Sequence, residues 1–154
     1  MEPKLFVIIP AYNEEASIGL VIDDIPKEVS EVVVASNGST DATEAVAKKH
    51  GATVVTEARR GYGWACLAGM AYLASKAENR DIIVFLDGDY SDYPERMPQL
   101  TTPIANGNFD MVIGARDKAL REAGSMTGPQ IFGNWLSTTL MRCCLLYTSD
   151  AADD

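Results

Sequence analysis

The chain has 154 residues, of which 47% are hydrophobic and 23% charged, and its formal net charge is −9. This length and composition predict one globular domain with a substantial core and exclude a largely disordered chain. Because no run of basic residues is longer than a pair, the charge pattern also excludes a nucleic-acid-binding surface, which needs clustered Lys and Arg.

The sequence pattern predicts a protein of the cytoplasm. Its three cysteines, Cys66, Cys143 and Cys144, give no even disulfide framework and fit a reducing compartment. The amino terminus lacks the apolar core of a signal peptide, and no apolar run reaches the length that spans a bilayer. Residues 135–147 are the candidate for peripheral contact with a membrane, and an ordinary core helix is the alternative interpretation.

Five short runs rich in β-branched and aromatic residues predict buried strands. They are residues 5–9, 31–35, 53–56, 82–86 and 111–114. The segments between them have helical composition, and the predicted helices cover residues 15–24, 41–50 and 64–76, with a further helix opened by Pro94. Asp41 and Glu44 predict a capping box. His50, the sole histidine, lies at a predicted helix end, so we interpret it as structural.

This alternation of strands and helices predicts an α/β fold with a doubly wound, mostly parallel sheet, because parallel neighbours need covering crossovers. Ligands of such sheets bind beyond the carboxyl ends of the strands, where the strand order reverses. Polar residues follow four of the predicted strands, so this edge is the expected site. They lie at residues 12–14, 36–39, 59–61 and 87–89.

Asp87 and Asp89 directly follow an apolar run and suggest a metal site. In an extended chain alternate side chains point the same way, so we expect the two carboxylates to converge on one cation, with Gly88 letting a ligand approach the backbone. Carboxylates joined by phosphate oxygens and water suit Mg²⁺ or Mn²⁺. The alternative is a polar turn that closes the strand, because such a triplet also arises by chance among 22 acidic residues.

Four motifs then occur in a fixed order. They are Val-Ile-Ile-Pro-Ala-Tyr-Asn-Glu-Glu at 7–15, Asn-Gly-Ser-Thr-Asp at 37–41, Gly-Tyr-Gly at 61–63 and Phe-Leu-Asp-Gly-Asp at 85–89. Together they resemble family 2 glycosyltransferases, in the branch of dolichyl-phosphate mannosyltransferase and polyprenyl-phosphate glucosyltransferases. The resemblance implies a GT-A fold, a nucleotide-sugar donor and a divalent cation, Mg²⁺ or Mn²⁺.

The resemblance also implies roles for residues after the first two strands. Pro10, Tyr12, Asn13 and Glu14 match the loop that holds the base and ribose of the donor, and the alternative for Asn13 and Glu14 is a helix N-cap. Asn37 stands where relatives usually have an acid that reads the base. Its amide offers both a donor and an acceptor, which leaves the choice between uracil and guanine open.

The later strands are followed by the residues expected to act on phosphate. Arg60 and Gly61, with Arg59 beside them, resemble the loop that approaches the pyrophosphate, and a solvated surface pair is the alternative.

In the metal motif, the resemblance implies that Asp87 and Gly88 contact the donor and that Asp87, Asp89 and Ser91 hold the ion. Asp89 and Arg116 are the expected catalytic residues. Arg116 matches an arginine that binds phosphate near the acceptor, and a surface ion pair with Asp117 or Glu122 is the alternative.

The implied reaction moves a hexose from UDP-glucose or GDP-mannose to a polyprenyl or dolichyl phosphate, with inversion and peripheral contact with the inner face of the membrane. Transfer to a non-lipid acceptor and a nucleotide-binding module without turnover are alternatives. A nucleotidyltransferase is a third, but it needs a Gly-rich amino-terminal loop ending in a basic residue, which is missing here.

The last residues depart from the pattern. We interpret residues 1–142 as a partial nucleotide-sugar-binding domain. Residues 143–154 are expected to be a tail foreign to the family, which predicts that the last strand and the helices on the acceptor side are missing.

Overall fold

The computed structural model describes residues 3–114, in which strands and helices alternate along the chain. The strands are β1 (Leu5–Ala11), β2 (Glu31–Ser36), β3 (Thr53–Thr56) and β4 (Ile82–Phe85). The helices are α1 (Ile18–Asp24), α2 (Thr43–Lys49), α3 (Tyr62–Leu73) and α4 (Met97–Ala105), with a 3₁₀ turn at Pro94–Arg96 before α4. Four of the five predicted strands are thereby confirmed.

The four strands form one parallel sheet in the order β3-β2-β1-β4. β1 is therefore central in this sheet, and six of its seven residues are buried. A strand covered on both faces is expected to be apolar along its whole length, and this explains why residues 5–9 read as an uninterrupted hydrophobic run.

Alternate residues of β1 enter two separate cores. Val7 and Ile9 pack with α1 and α2 residues such as Ile18 and Ala47, whereas Ile8 packs with Leu73 of α3 on the other face. This follows from the two-residue period of a strand. The sheet is thus covered by helices on both faces, which confirms the doubly wound α/β prediction.

Helix α3 approaches the sheet closely through small residues. Ala65, Gly69 and Leu73 are its buried positions, four residues apart. A Cβ added to Gly69 would lie 2.6 Å from Cγ2 of Ile8. Gly69 therefore sets the distance between this helix and the central strand.

The prediction of a strand at residues 111–114 was wrong. This segment has no strand pairing, and Met111 and Ile113 are 72% and 67% exposed. β-branched composition favours a strand only where a neighbour completes its hydrogen bonds. In the part of the chain that the structure describes, the outer edge of β4 has no such neighbour.

The capping box was also a wrong prediction. Helix α2 begins at Thr43, and Asp41 Oδ1 accepts a hydrogen bond from its backbone N at 3.0 Å. Glu44, the second residue of the helix, instead accepts from the hydroxyl of Thr56 in β3 at 3.3 Å. None of the helices within residues 3–114 is long and apolar enough to cross a membrane.

The close packing of α3 gives a stability prediction. Gly69→Ala should be less stable than Gly63→Ala by about 1–3 kcal/mol, because overpacking of a tight core costs about that much. Both variants gain helix propensity, but a Cβ on Gly63 meets no atom within 4 Å. Urea unfolding of the two variants measures the difference. Equal midpoints would contradict the close contact between Gly69 and Ile8.

Candidate functional site

The strand order places a crevice between the carboxyl ends of β1 and β4. The chain runs outward from β1 through β2 to β3 and then returns to β4 on the other side of β1. At such a reversal the connections leave the sheet in opposite directions, so a ligand can enter between them. The residues after β1 and β4 are therefore the first candidates for a site.

The two motifs at this crevice are in direct contact. Gly88 is buried, and a Cβ added to it would lie 3.4 Å from Cγ of Glu14 and 3.5 Å from the carbonyl oxygen of Pro10. The predicted juxtaposition of the first and fourth motifs is thus present. The approach of a ligand to the Gly88 backbone stays a prediction, because this side of the glycine faces protein.

Asp89 lies on a turn and not on extended chain, whereas Asp87 lies between the end of β4 and this turn. β4 ends at Phe85, and Gly88 and Asp89 belong to a turn. The expectation that strand alternation aligns Asp87 with Asp89 was therefore wrong, because the backbone has left the sheet before Asp89. Both carboxylates are exposed.

Local hydrogen bonds shape this turn. Asp89 Oδ1 accepts from the backbone N of Ser91 at 2.9 Å, and Asp92 Oδ2 lies 3.5 Å from the backbone N of Asp87. Tyr90 adopts a positive φ of 60°, and its hydroxyl donates to Asp24 Oδ2 at 2.5 Å. The turn is thereby tied to the last residue of α1.

The donor set at this turn fits a hard divalent cation with an oxygen-rich ligand. No group of three His, Cys, Asp or Glu side chains within residues 3–114 is arranged to hold a metal ion. Asp87 and Asp89 would supply two carboxylates to such an ion, and its remaining positions would be filled by water and phosphate oxygens. This is the usual arrangement for Mg²⁺ or Mn²⁺ with a nucleotide.

The β1–α1 loop is fastened to the β2–α2 loop through Asn13. Asn13 Oδ1 accepts from the backbone N of Thr40 at 2.8 Å, and the Ser39 hydroxyl accepts from the backbone N of Asn13 at 3.2 Å. Asn13 has a positive φ of 57°, which asparagine tolerates well. The side chain of Asn13 thus holds the loop, and Tyr12 beside it is 46% exposed.

A second set of bonds fixes the acids that follow. The backbone N of Glu14 donates to the buried Thr43 hydroxyl at 2.8 Å, and that hydroxyl donates to Asp41. Glu15 and the β2–α2 loop exchange two further bonds, one to Asp41 Oδ2 and one from the backbone N of Ala42. The alternative role of Asn13 and Glu14 as a helix N-cap was wrong, since α1 begins after Ser17.

Asn37 acts as a clamp on the next loop. It is 7% exposed, and its Nδ2 donates to the carbonyl oxygens of Glu57 at 3.3 Å and Arg59 at 2.6 Å. Its Oδ1 accepts from the backbone N of Gly61 at 2.6 Å. Both amide hydrogens are therefore engaged with the protein, so direct reading of a base by Asn37 donors does not fit this geometry. Its support of the 57–61 loop is the role that the contacts favour.

The structure distinguishes the two arginines of this loop. Arg59 forms two hydrogen bonds to the Glu57 carboxylate, at 2.9 Å and 2.7 Å, and stacks 3.8 Å over the Trp64 ring. These bonds from Arg59 lower the pKa of Glu57 to about 2. Arg60 is exposed and lies 5.6 Å from the centroid of the Tyr12 ring. The guanidinium of Arg59 thus binds residues beside it in the chain, whereas Arg60 faces the side of the crevice that carries Tyr12.

Sequence reasoning missed a contact from α3 to the metal motif. The Tyr62 hydroxyl donates to Asp87 Oδ1 at 3.2 Å. Desolvation, together with the negative charge of Asp87, raises the pKa of Tyr62 to about 12, and desolvation raises the pKa of the neighbouring Cys66 thiol. The only signal in the sequence was the position of Tyr62 between two glycines of a motif.

Two predicted residues lie away from this geometry. Arg116 falls outside the described residues, so its role stays a prediction. His50 caps the carboxyl end of α2, its Nδ1 lies 2.8 Å from Asp23 Oδ1, and its ring packs against Gly19 of α1. These contacts support the structural interpretation of His50.

A cavity of about 300 Å³ adjoins the metal motif on the side of α1. It is lined by Asp24, Tyr90, Ser91, Asp92, Tyr93 and Glu95. Three of these six residues are acidic, so an anionic group entering this cavity would be repelled.

Comparison with known proteins assigns the family. A family model described as glycosyl transferase family 2 matches residues 6–149. The chain belongs to glycosyl transferase family 2. This confirms the family that the four motifs resemble, whereas the branch within the family is left open.

Two relatives illustrate the range of this family. A low-salt glycan biosynthesis hexosyltransferase of Haloferax volcanii is 31% identical over 129 residues, which cover 80% of this chain and 30% of the relative. An uncharacterized protein of Methanocaldococcus jannaschii is 31% identical over 134 residues, covering 86% of this chain and 54% of that protein. The chain therefore spans about half or less of the length of these relatives.

A solved structure confirms the fold. Glucosyl-3-phosphoglycerate synthase from Mycobacterium tuberculosis is 36% identical, with a TM-score of 0.58 over 68% of this chain and 40% of that chain. That enzyme was crystallised with Mn²⁺, UDP-glucose and phosphoglyceric acid. The parallel sheet of this family 2 chain is thus the core of a GT-A fold.

Proposed function

We propose that this chain forms the donor-binding part of a glycosyltransferase that uses a nucleotide-diphosphate hexose and a divalent cation. One observation carries the proposal. The Asp87–Asp89 turn contacts the β1–α1 loop through Gly88 and Glu14, at the point where the strand order reverses. Family membership and the solved relative with UDP-glucose support the same assignment.

Charge gives an independent reason for a cation at this crevice. Glu14 follows β1, Asp87 and Asp89 follow β4, and a diphosphate would bring further negative charge to this crevice. At the effective dielectric of a protein surface, like charges repel by about 4 kcal/mol per pair when they are 4 Å apart. Asp87 and Asp89 are the residues that would hold a divalent ion here, and such an ion would reduce the repulsion and supply positive charge to the leaving group.

Arg60 is the residue that we propose for the diphosphate. Arg59 is neutralised by Glu57 and stacked on Trp64, so its guanidinium is already occupied. Arg60 is exposed and has no ion pair among the described residues. A guanidinium suits a phosphate because its planar fork donates two parallel hydrogen bonds.

For the base we propose uracil, with guanine as the competing outcome. The solved relative holds UDP or UDP-glucose. Tyr12 presents an exposed ring beside Arg60 at the mouth of the crevice, and Pro10 and Glu14 complete this loop near the proposed base and ribose. The loop at residues 57–61, whose backbone is bound by Asn37, would then shape the base pocket.

We propose a polyprenyl phosphate as the acceptor, which implies peripheral contact with the inner face of a membrane. A phosphate oxygen attacks the anomeric carbon as the bond to the nucleoside diphosphate breaks, with inversion. Such an acceptor is already anionic near neutral pH and needs no strong general base, which fits the position of the sole histidine at the end of α2. Arg116 is proposed to bind this phosphate.

A second candidate function is a nucleotide-binding module without turnover. The chain spans 54% of the length of one relative and 30% of another, and this partial coverage favours the second candidate. Both candidates have the same donor site, but only the glycosyltransferase transfers the sugar to an acceptor.

The metal role of Asp89 is tested by binding. Asp89→Asn should weaken Mn²⁺-dependent UDP binding by about 100-fold, at or beyond the loss typical of an outer-shell partner. Asp81→Asn is the matched control, because it removes the same charge at the amino end of β4. Calorimetry with and without Mn²⁺ separates metal-dependent from metal-independent affinity. Equal loss in both variants would contradict a specific metal site. The same calorimetry with GDP tests the base, because tighter binding of GDP than of UDP would assign guanine.

The two arginines give a paired prediction. Arg60→Gln should weaken UDP binding by about 10- to 100-fold, the equivalent of one charged hydrogen bond of about 1.5–3 kcal/mol. Arg59→Gln should lower thermal stability and change UDP affinity less. Fluorescence titration at two salt concentrations provides the measurement, since a phosphate contact is screened by salt. A larger effect of Arg59→Gln on affinity would reverse the assignment.

The acceptor is tested by transfer of labelled sugar. The chain is incubated with Mn²⁺, labelled UDP-glucose or GDP-mannose, and either a polyprenyl phosphate in detergent or 3-phosphoglycerate. We expect label in the lipid extract. Label in the water-soluble product would assign a non-lipid acceptor, and UDP binding without transfer to either would favour the module.

A further inference from the structure

Tyr62 reaches the metal motif from the opposite layer of the fold. It is the first residue of α3, the helix that covers the Ile8 face of the sheet, whereas Asp87 follows β4. Its hydroxyl donates to Asp87 Oδ1 at 3.2 Å. A carboxylate has about four lone-pair positions, so this bond occupies one and leaves Oδ2 for a cation.

The position of Tyr62 is set by its backbone. Asn37 Oδ1 accepts from the Gly61 backbone N at 2.6 Å, immediately before the tyrosine. The Gly61 carbonyl in turn accepts from the backbone N of Trp64 and of Ala65 at 3.0 Å and 3.3 Å, which starts the helix. Cys66 lies one turn further along the same helix. The start of α3 is thus fixed relative to β2, and the ring extends from it toward Asp87.

Stability alone does not account for this contact. Tyr62 is 61% exposed, and a neutral donor to an exposed carboxylate contributes little to folding, because water replaces the bond when the chain unfolds. The bond instead affects the orientation of the Asp87 carboxylate. A hydrogen bond to one oxygen limits rotation of the Asp87 side chain, and limited rotation lowers the entropy lost when an ion binds.

We propose that Tyr62 is a positioning residue, whose hydroxyl holds the Asp87 carboxylate in the orientation that binds the divalent cation. This inference rests on the proposed function, since it requires a cation at Asp87. Tyr62 itself contacts neither the ion nor the sugar. It acts through Asp87, as outer-shell partners of metal-binding carboxylates do.

The test is Mn²⁺ binding to Tyr62→Phe, which removes the hydroxyl and keeps the ring. With UDP present, we expect Mn²⁺ affinity to fall by about 10- to 100-fold, the range for loss of an outer-shell partner. UDP affinity without Mn²⁺ and the melting temperature should stay at the values of the unmodified chain. Electron paramagnetic resonance of free and bound Mn²⁺ measures the affinity, and the line shape at saturating Mn²⁺ reports a changed coordination environment.

The chain offers a matched control on the same helix. The Tyr72 hydroxyl also donates to a carboxylate, Glu31 Oε1 at 2.8 Å, but beside the amino end of β2. Tyr72→Phe should leave Mn²⁺ affinity and line shape unchanged.

The outcomes separate this inference from the proposed function. If the unmodified chain binds no Mn²⁺ with UDP, the proposed function fails and the role of Tyr62 fails with it. If the unmodified chain binds Mn²⁺ and Tyr62→Phe binds it equally or more tightly, only the positioning role is overturned. An equal loss in Tyr72→Phe would also overturn it.

Discussion

The burial of β1 on both faces is the constraint on which the rest of this fold depends. Because β2 and β4 flank it in parallel, each connection must cross a face of the sheet, and the two sets of helices are the result. The same arrangement makes the strand order reverse at the carboxyl end of β1. The core and the site therefore have one origin, since the strand that organises the packing also locates the crevice.

The loops at the crevice are held mainly by side chains that bond to backbone groups. Asn13, Asn37, Asp41 and Thr43 each bond the backbone of a segment far from them in sequence. Such bonds satisfy polar groups of loops that lie outside the sheet, and they restrict those loops without adding apolar area. Hydrogen bonds between side chains and loop backbones thus hold the site, and the apolar core of the sheet supports those loops.

The sequence predicted what depends on periodicity and composition. Strands β1 to β4, the helices on both faces and the meeting of Glu14 with the 87–89 motif follow from apolar runs and from the rules for parallel sheets. Residues 111–114 have a composition similar to those strands but no strand partner within residues 3–114, and composition does not reveal whether a partner is present.

The sequence predicted the details of the site less well than the fold. Asp89 was placed on extended chain because a strand pattern does not mark where the backbone leaves the sheet. Asn37 and Arg59 have the polar side chains of ligand-binding residues, yet their partners lie within the protein. The contact of Tyr62 with Asp87 joins residues 25 positions apart on different layers. Only three-dimensional packing distinguishes such neighbours from solvent-facing residues.

The alternation of β1 between two cores has a further consequence for how this chain can vary. An insertion of one residue within β1 would turn each later side chain to the opposite layer, exchanging Ile8 with its neighbours Val7 and Ile9. The same shift would move Tyr12 and Asn13 out of register with their partners. Length changes in this strand would therefore damage folding and chemistry together.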